Sequence, residues 1–279
     1  MPIQISISNA IKGQVMASGG NLLLDLYPNA ALAYSLRRLS SSFSGSPIRV
    51  RRSSDNAEQD IPFDGSGDLD TANLLSFVGS NDGFICDWYD QSGNSNNAFA
   101  NSAANQAKIV SSGVVETDNT NGKPTSVWAS DKYDLTNNVL TTIEYYNIVK
   151  IRRPNRNTNN IITIAASTTS PRILTWAPNG TGNVYVSNMD SQVSFGSSVL
   201  QSGYILDTYR QADGDMFLFR NNAQQGGTPN TTSVGSTLNR WGSRGALFTT
   251  GEYQECILWN DNTYNDRSAI YDDLDTYYQ

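Results

Sequence analysis

Tyr204-Ile205-Leu206-Asp207-Thr208-Tyr209-Arg210 leads through Gln211-Ala212-Asp213-Gly214-Asp215 into Met216-Phe217-Leu218-Phe219-Arg220. Two runs rich in aromatic and branched side chains flank an Asp-Gly pair, which is a strong local signal for a β-hairpin. Working outward, the same grammar recurs. Short apolar runs are predicted as strands at 107–110, 125–128, 145–152, 161–166, 173–176, 184–186, 244–249 and 253–259. Turn formers such as Asn121-Gly122, Pro178-Asn179-Gly180 and Gly226-Gly227 punctuate them. Toward the N-terminus, 48–51 and 84–89 read as strands, the second with Phe84, Cys86 and Trp88 on one face.

Helices are expected only at the margins. Leu32, Leu36 and Leu39 at i, i+4, i+7 predict a short helix over 30–40. Asp70 can cap a second, with Ala72, Leu74, Leu75 and Val78 turned inward and Gly79 ending it. Ile270, Leu274 and Tyr278 predict an amphipathic helix that closes the chain. The fold class is therefore mostly β: an antiparallel two-sheet jelly-roll sandwich of lectin type with short marginal helices. We divide the chain into an N-terminal arm over 1–20, able to add a strand to a partner, and one sandwich domain over 21–279.

Composition narrows the chemistry. The 279 residues include 22 Gly and 14 Tyr, and only 16% are charged, against roughly 25% in an ordinary globular chain. The net charge of −7 disfavours a nucleic-acid partner, and the cluster Arg37, Arg38, Arg49, Arg51, Arg52 lies beside Asp55, Glu58 and Asp60. Apolar stretches are too short for membrane insertion, and Met1 to Asn9 does not read as a signal peptide, so folding in a host cytoplasm is expected. Cys86 and Cys256 lie in strand patterns and read as buried thiols. With no histidine, Ser-His-Asp and Cys-His catalysis and His-based metal sites are excluded, whereas hydrolysis by two carboxylates survives. Asp64, Asp68 and Asp70 could hold Ca²⁺, but their spacing is not that of an EF-hand. Asp272, Asp273 and Asp275 read as the solvated face of the last helix.

Two stretches are more specific. Ala33 to Gly45, continuing as Ile48 to Asp55, and Trp88-Tyr89-Asp90-Gln91-Ser92-Gly93-Asn94 resemble the catalytic domain of fungal α-L-arabinofuranosidase B. Similar openings occur in proteins of bacteriophage genomes, and Glu252 to Trp259 is similar to the end of laminin-G/concanavalin-A-like domains. Read physically, Asp90 accepts from the backbone two residues on and Gly93 supplies a positive φ, giving a rigid hairpin end. The resemblance implies a Glu nucleophile and an Asp acid/base about 5–5.5 Å apart. The comparable stretches, 161–176 and 241–245, hold no carboxylate, and Arg244 or Ser243 stands where the Asp would fall.

From that absence the expectation is a non-catalytic bacteriophage virion protein: a head-decoration, head-fibre or tail-associated subunit. It would be a homo-oligomer that contacts other virion proteins, of capsid or tail, through its arm, with a host surface glycan as a further partner. No catalytic residue, metal site or cofactor is assigned. Arg172, Trp176, Trp241 and Arg244 are the candidates for a glycan cleft. The alternative is an α-L-arabinofuranosidase-like hydrolase or a carbohydrate-binding adhesin module.

Overall fold

The computed structural model describes residues 21–140, 144–152, 160–161, 164–165, 174–177, 184–188, 191–195, 204–225, 237–244 and 247–279. The expected arm over 1–20 lies outside them. The chain is mostly antiparallel β with short helices at Leu23–Leu26, Thr71–Val78 and Arg267–Tyr277. Among the described residues, strand pairing gives one large and one small sheet. One network of 17 strands runs unbroken through the 13-residue strand Leu247–Trp259, and a separate sheet of four holds Asn160–Ile161, Leu174–Ala177, Val184–Asn188 and Ser191–Phe195.

Leu247–Trp259 is the hub. Its first half pairs with Ser126–Asp131 and its second half lies between Ala30–Ser35 and Tyr145–Arg152. Tyr204–Arg210 pairs with Tyr145–Arg152 on its other side, and the predicted Asp-Gly hairpin carries on into Met216–Arg220. Side chains alternate across these strands. Tyr145, Val149, Ile151, Tyr253, Cys256 and Leu258 enter the main core. Tyr146, Ile148, Ile257 and Trp259 face the other way, into a second core closed by Ile270, Tyr271, Leu274 and Tyr278 of the last helix. Burial on both faces is why these strands read as near-continuous apolar runs.

The predicted helix over 30–40 is instead the strand Ala30–Ser35, with Tyr34 opposite Cys256. Leu32, Tyr34 and Leu36 also fit a period of two, and pairing with the hub decides between the two readings. Phe84, Cys86 and Trp88 do not share a face. Arg49 pairs with Asp87 but Val50 with Ile85, so Cys86 is the extra residue of a bulge. Ile85 and Trp88 thus face the core, while Phe84 lies outside between the Arg51 guanidinium and Lys108 Nζ, 5.0 and 5.5 Å from its ring. The strand Tyr133–Leu140 carries Thr136-Asn137-Asn138 on its exposed middle and has little strand signal in the sequence.

Asp70 caps Thr71–Val78 as read, its Oδ1 accepting from Asn73 N at 2.9 Å, and Gly79 leaves the helix at φ 63°. Both cysteines are buried and free. The 88–94 motif does more than turn a corner. Asp90 Oδ1 accepts from Ser92 N at 2.9 Å and also from Ala33 N at 2.8 Å, while Gln91 N donates to Ala33 O. Gln91 Nε2 donates to Ser35 O and Arg37 O, and its Oε1 accepts from Leu39 N. Asn94 Nδ2 and Asn96 Nδ2 donate to Ala30 O and Ala31 O. The exposed edge of Ala30–Ser35 is thereby satisfied by side chains in place of another strand.

Candidate functional site

The three described glycan-cleft candidates lie on different strands. Arg172 lies outside the described residues. Trp176 belongs to the four-stranded sheet, opposite Tyr185 and Ile161, and Arg244 to a two-residue strand opposite Leu247. Trp241 is a core residue with no exposed surface. Tyr34 stacks on its indole at 5.1 Å, and Trp128, Trp88 and Tyr253 pack at 4.9, 5.4 and 5.8 Å. No face of the ring is left for a sugar. Asp64, Asp68 and Asp70 are engaged locally: Asp64 Oδ1 accepts from Ser66 N and Asp68 N, and Asp68 accepts from the Tyr277 hydroxyl. Among the described residues no group of three His, Cys, Asp or Glu side chains is gathered for a metal ion.

A polar strip does form on the outer face of the hub, where the last helix ends. Because of the period of two, Lys150 and Arg152 follow Tyr146 and Ile148 onto this face. Lys150 lies opposite Glu255 and Arg152 opposite Glu252. Arg152 donates to both Glu252 carboxyl oxygens, at 2.8 and 2.7 Å. Glu255 is fully buried, bound by Arg37 Nε at 2.9 Å, Ser35 Oγ at 2.8 Å and Tyr278 Oη at 3.1 Å. Arg37 also reaches Asp273 at 2.5 Å, so one acid of the last helix is drawn off the solvated face expected for it.

The turn 118–123 borders the strip. Asp118 is 1% exposed, and its Oδ1 accepts from Thr120 N and Oγ1. Asn121 Nδ2 donates to Gln254 Oε1 at 2.9 Å, which ties the turn to the hub. Burial pushes the Glu252 carboxyl above its ordinary pKa; Arg152 opposes the shift, and Asp118 and Glu116 add to it by repulsion. Lys150 shifts the other way, lowered by burial and partly restored by Asp118 and Asp275. A buried acid pushed up beside a buried base pushed down is a pattern that marks functional sites. In the sequence Glu252 stands only inside the closing strand motif, and Asp118, Lys150 and Arg152 lie in a turn and a strand with no catalytic motif around them.

Two other buried acids stand apart. Asp131, opposite Thr249, is pushed to about 6 by burial, with only Ala129 N hydrogen-bonding it among the described residues. Asp207 lies under the last helix, pushed to about 7 by burial against the pull of Arg267.

No curated protein sequence matches the chain. Its fold is similar to that of an arabinofuranosidase complexed with arabinofuranosyl-α-1,2-xylobiose, with a TM-score of 0.68 and 15% identity. It is likewise similar to an α-L-arabinofuranosidase soaked with a cyclic sulfate inhibitor, with a TM-score of 0.66 and 14% identity. Each likeness covers 88% of this chain but only 62% of the other, and at such identity it speaks for the fold alone. The family model described as "Alpha-L-arabinofuranosidase B, catalytic" matches residues 25–169. That match overturns the expectation of a non-catalytic virion subunit, which rested on the absence of acids from 161–176 and 241–245; what it matches is a catalytic domain. Spanning more than half of the chain, it shows that this protein belongs to the α-L-arabinofuranosidase B catalytic-domain family.

Proposed function

We propose that this chain is a glycoside hydrolase domain acting on α-L-arabinofuranosyl linkages, built on a lectin-like jelly roll with the hub strand joining its two layers. The observation that carries the reading is the match of residues 25–169 to the catalytic-domain family. The polar strip supports it with acids in one place. Retaining and inverting glycosidases both need two carboxyls, one protonated to donate to the leaving oxygen and one ionised. Glu252, pushed upward by burial and by Asp118 and Glu116, suits the donor. Asp118, its Oδ1 held by Thr120, stands as the second carboxyl. Both lie outside the acid-free stretches 145–189 and 216–251, so the chemistry does not depend on finding a carboxylate there.

The test is release of the aryl alcohol from an aryl α-L-arabinofuranoside by the purified chain, with Glu252→Gln and Asp118→Asn alongside. The reading expects turnover, a loss of about 100-fold or more in either variant, and unchanged unfolding midpoints. Turnover insensitive to both substitutions would move the site elsewhere. Binding of the glycoside without turnover would overturn hydrolysis and leave a carbohydrate-binding domain.

A further inference from the structure

Lys150 stands out within the strip. It is 6% exposed, and its Nζ lies 5.5 Å from the centre of the Tyr278 ring. Neighbouring cations are matched: Arg152 pairs with Glu252, and Arg37 pairs with Glu255 and Asp273. Lys150 hydrogen-bonds to no oxygen among the described residues, although Asp118 and Asp275 are near enough to favour its charge. An ammonium carries three donors, and those of Lys150 are open to ligand oxygens.

We propose that Lys150 is the ligand-binding cation of this strip and that its partners are hydroxyl oxygens of a neutral sugar. Charge selects the ligand. Lys150, Arg152, Arg37 and Lys123 meet Glu116, Asp118, Glu255, Asp273 and Asp275 here, so acid is in excess even with Glu252 protonated and repels an anionic sugar. Carboxylates that accept from hydroxyls, beside an ammonium that donates to them, suit a polyol; the Tyr278 ring covers the apolar stem of the lysine. The inference rests on the arabinofuranosyl reading above and adds to it the residue that holds the sugar.

The experiment is calorimetric titration of the full chain and Lys150→Met with a neutral α-L-arabinofuranosyl oligosaccharide and with one bearing a uronate. Met keeps the length of the stem and removes the charge. Its urea midpoint is expected to equal or exceed that of the unsubstituted chain, because a half-desolvated charge is replaced by an apolar stem. Affinity for the neutral sugar is expected to fall about 10- to 100-fold, as for a lost hydrogen bond to a charged group. Equal affinity in chain and variant would overturn the role of Lys150 and leave the site reading standing. Tighter binding of the uronate would overturn the choice of a neutral ligand. Failure of the unsubstituted chain to bind either sugar would take the site reading down, and this inference with it.

Discussion

Replacing Asp90 by Ala removes one acceptor from four donors at once. Oδ1 accepts from Ala33 N at 2.8 Å and Ser92 N at 2.9 Å, and Oδ2 from Ser92 Oγ at 2.8 Å and Asn96 N at 2.9 Å. Ala33 is fully buried, so its N–H would be left without water, at about 1–3 kcal/mol. The turn donors are closer to solvent and can be rehydrated, at about 0.5–1.5 kcal/mol each. The sum is about 2.5–7.5 kcal/mol, a large part of the roughly 5–15 kcal/mol stability of an ordinary domain. Asp90→Asn separates the two oxygens. Its amide oxygen can still accept from Ala33 and Ser92, but an NH₂ would face the Asn96 N–H, so about half of the loss is expected. The assay is urea unfolding followed by tryptophan fluorescence, read as a shift in midpoint at constant slope. A loss below about 1 kcal/mol for Asp90→Ala, or equal losses for the two variants, would refute the clasp and reopen a chemical role for the motif.

Two further outcomes follow from local geometry and from burial. Gly242 has φ +82°, and a Cβ there would lie 2.4 Å from the Trp128 ring and 3.1 Å from Asp131 O, so Gly242→Ala is expected to cost about 2–4 kcal/mol in the same assay. Asp207, at about 7 in the fold against 3.8 as its ordinary value, binds a proton more tightly folded than unfolded. Its contribution is therefore complete below about 4 and is lost as pH rises through about 7. Stability is expected to decline across that window by at most about 1.4 kcal/mol per pH unit for this group, and Asp207→Asn should flatten the decline.

The sequence was legible where one period ruled and opaque where two competed. Tyr204–Arg210, Met216–Arg220 and Tyr145–Arg152 stand where the runs predicted them, because their side chains are apolar on both faces or their turn is Asp-Gly. Leu32, Leu36 and Leu39 satisfied a helical spacing by coincidence; nothing local reveals that a strand 220 residues away waits to pair with Ser35. The bulge at Cys86 is invisible for a similar reason, since the extra residue is defined only against Arg49 and Val50 of the neighbouring strand. The aromatic count was equally ambiguous: Trp241 looked like a platform beside a glycine turn, yet it fills the centre of the core.

The site was harder still, because its residues come from three separated segments and meet only through register. A trace was nonetheless present. In the run Tyr145 to Arg152, the charges at 150 and 152 fall on the same side as Tyr146 and Ile148, so a strand that otherwise buries both faces must change environment along one of them. The last helix supplies the boundary: Ile270, Leu274 and Tyr278 cover the apolar part, and the charged part lies beside Tyr278, whose ring is 5.5 Å from Lys150 Nζ. The apolar face of that helix therefore sets how much of the hub's outer face is core.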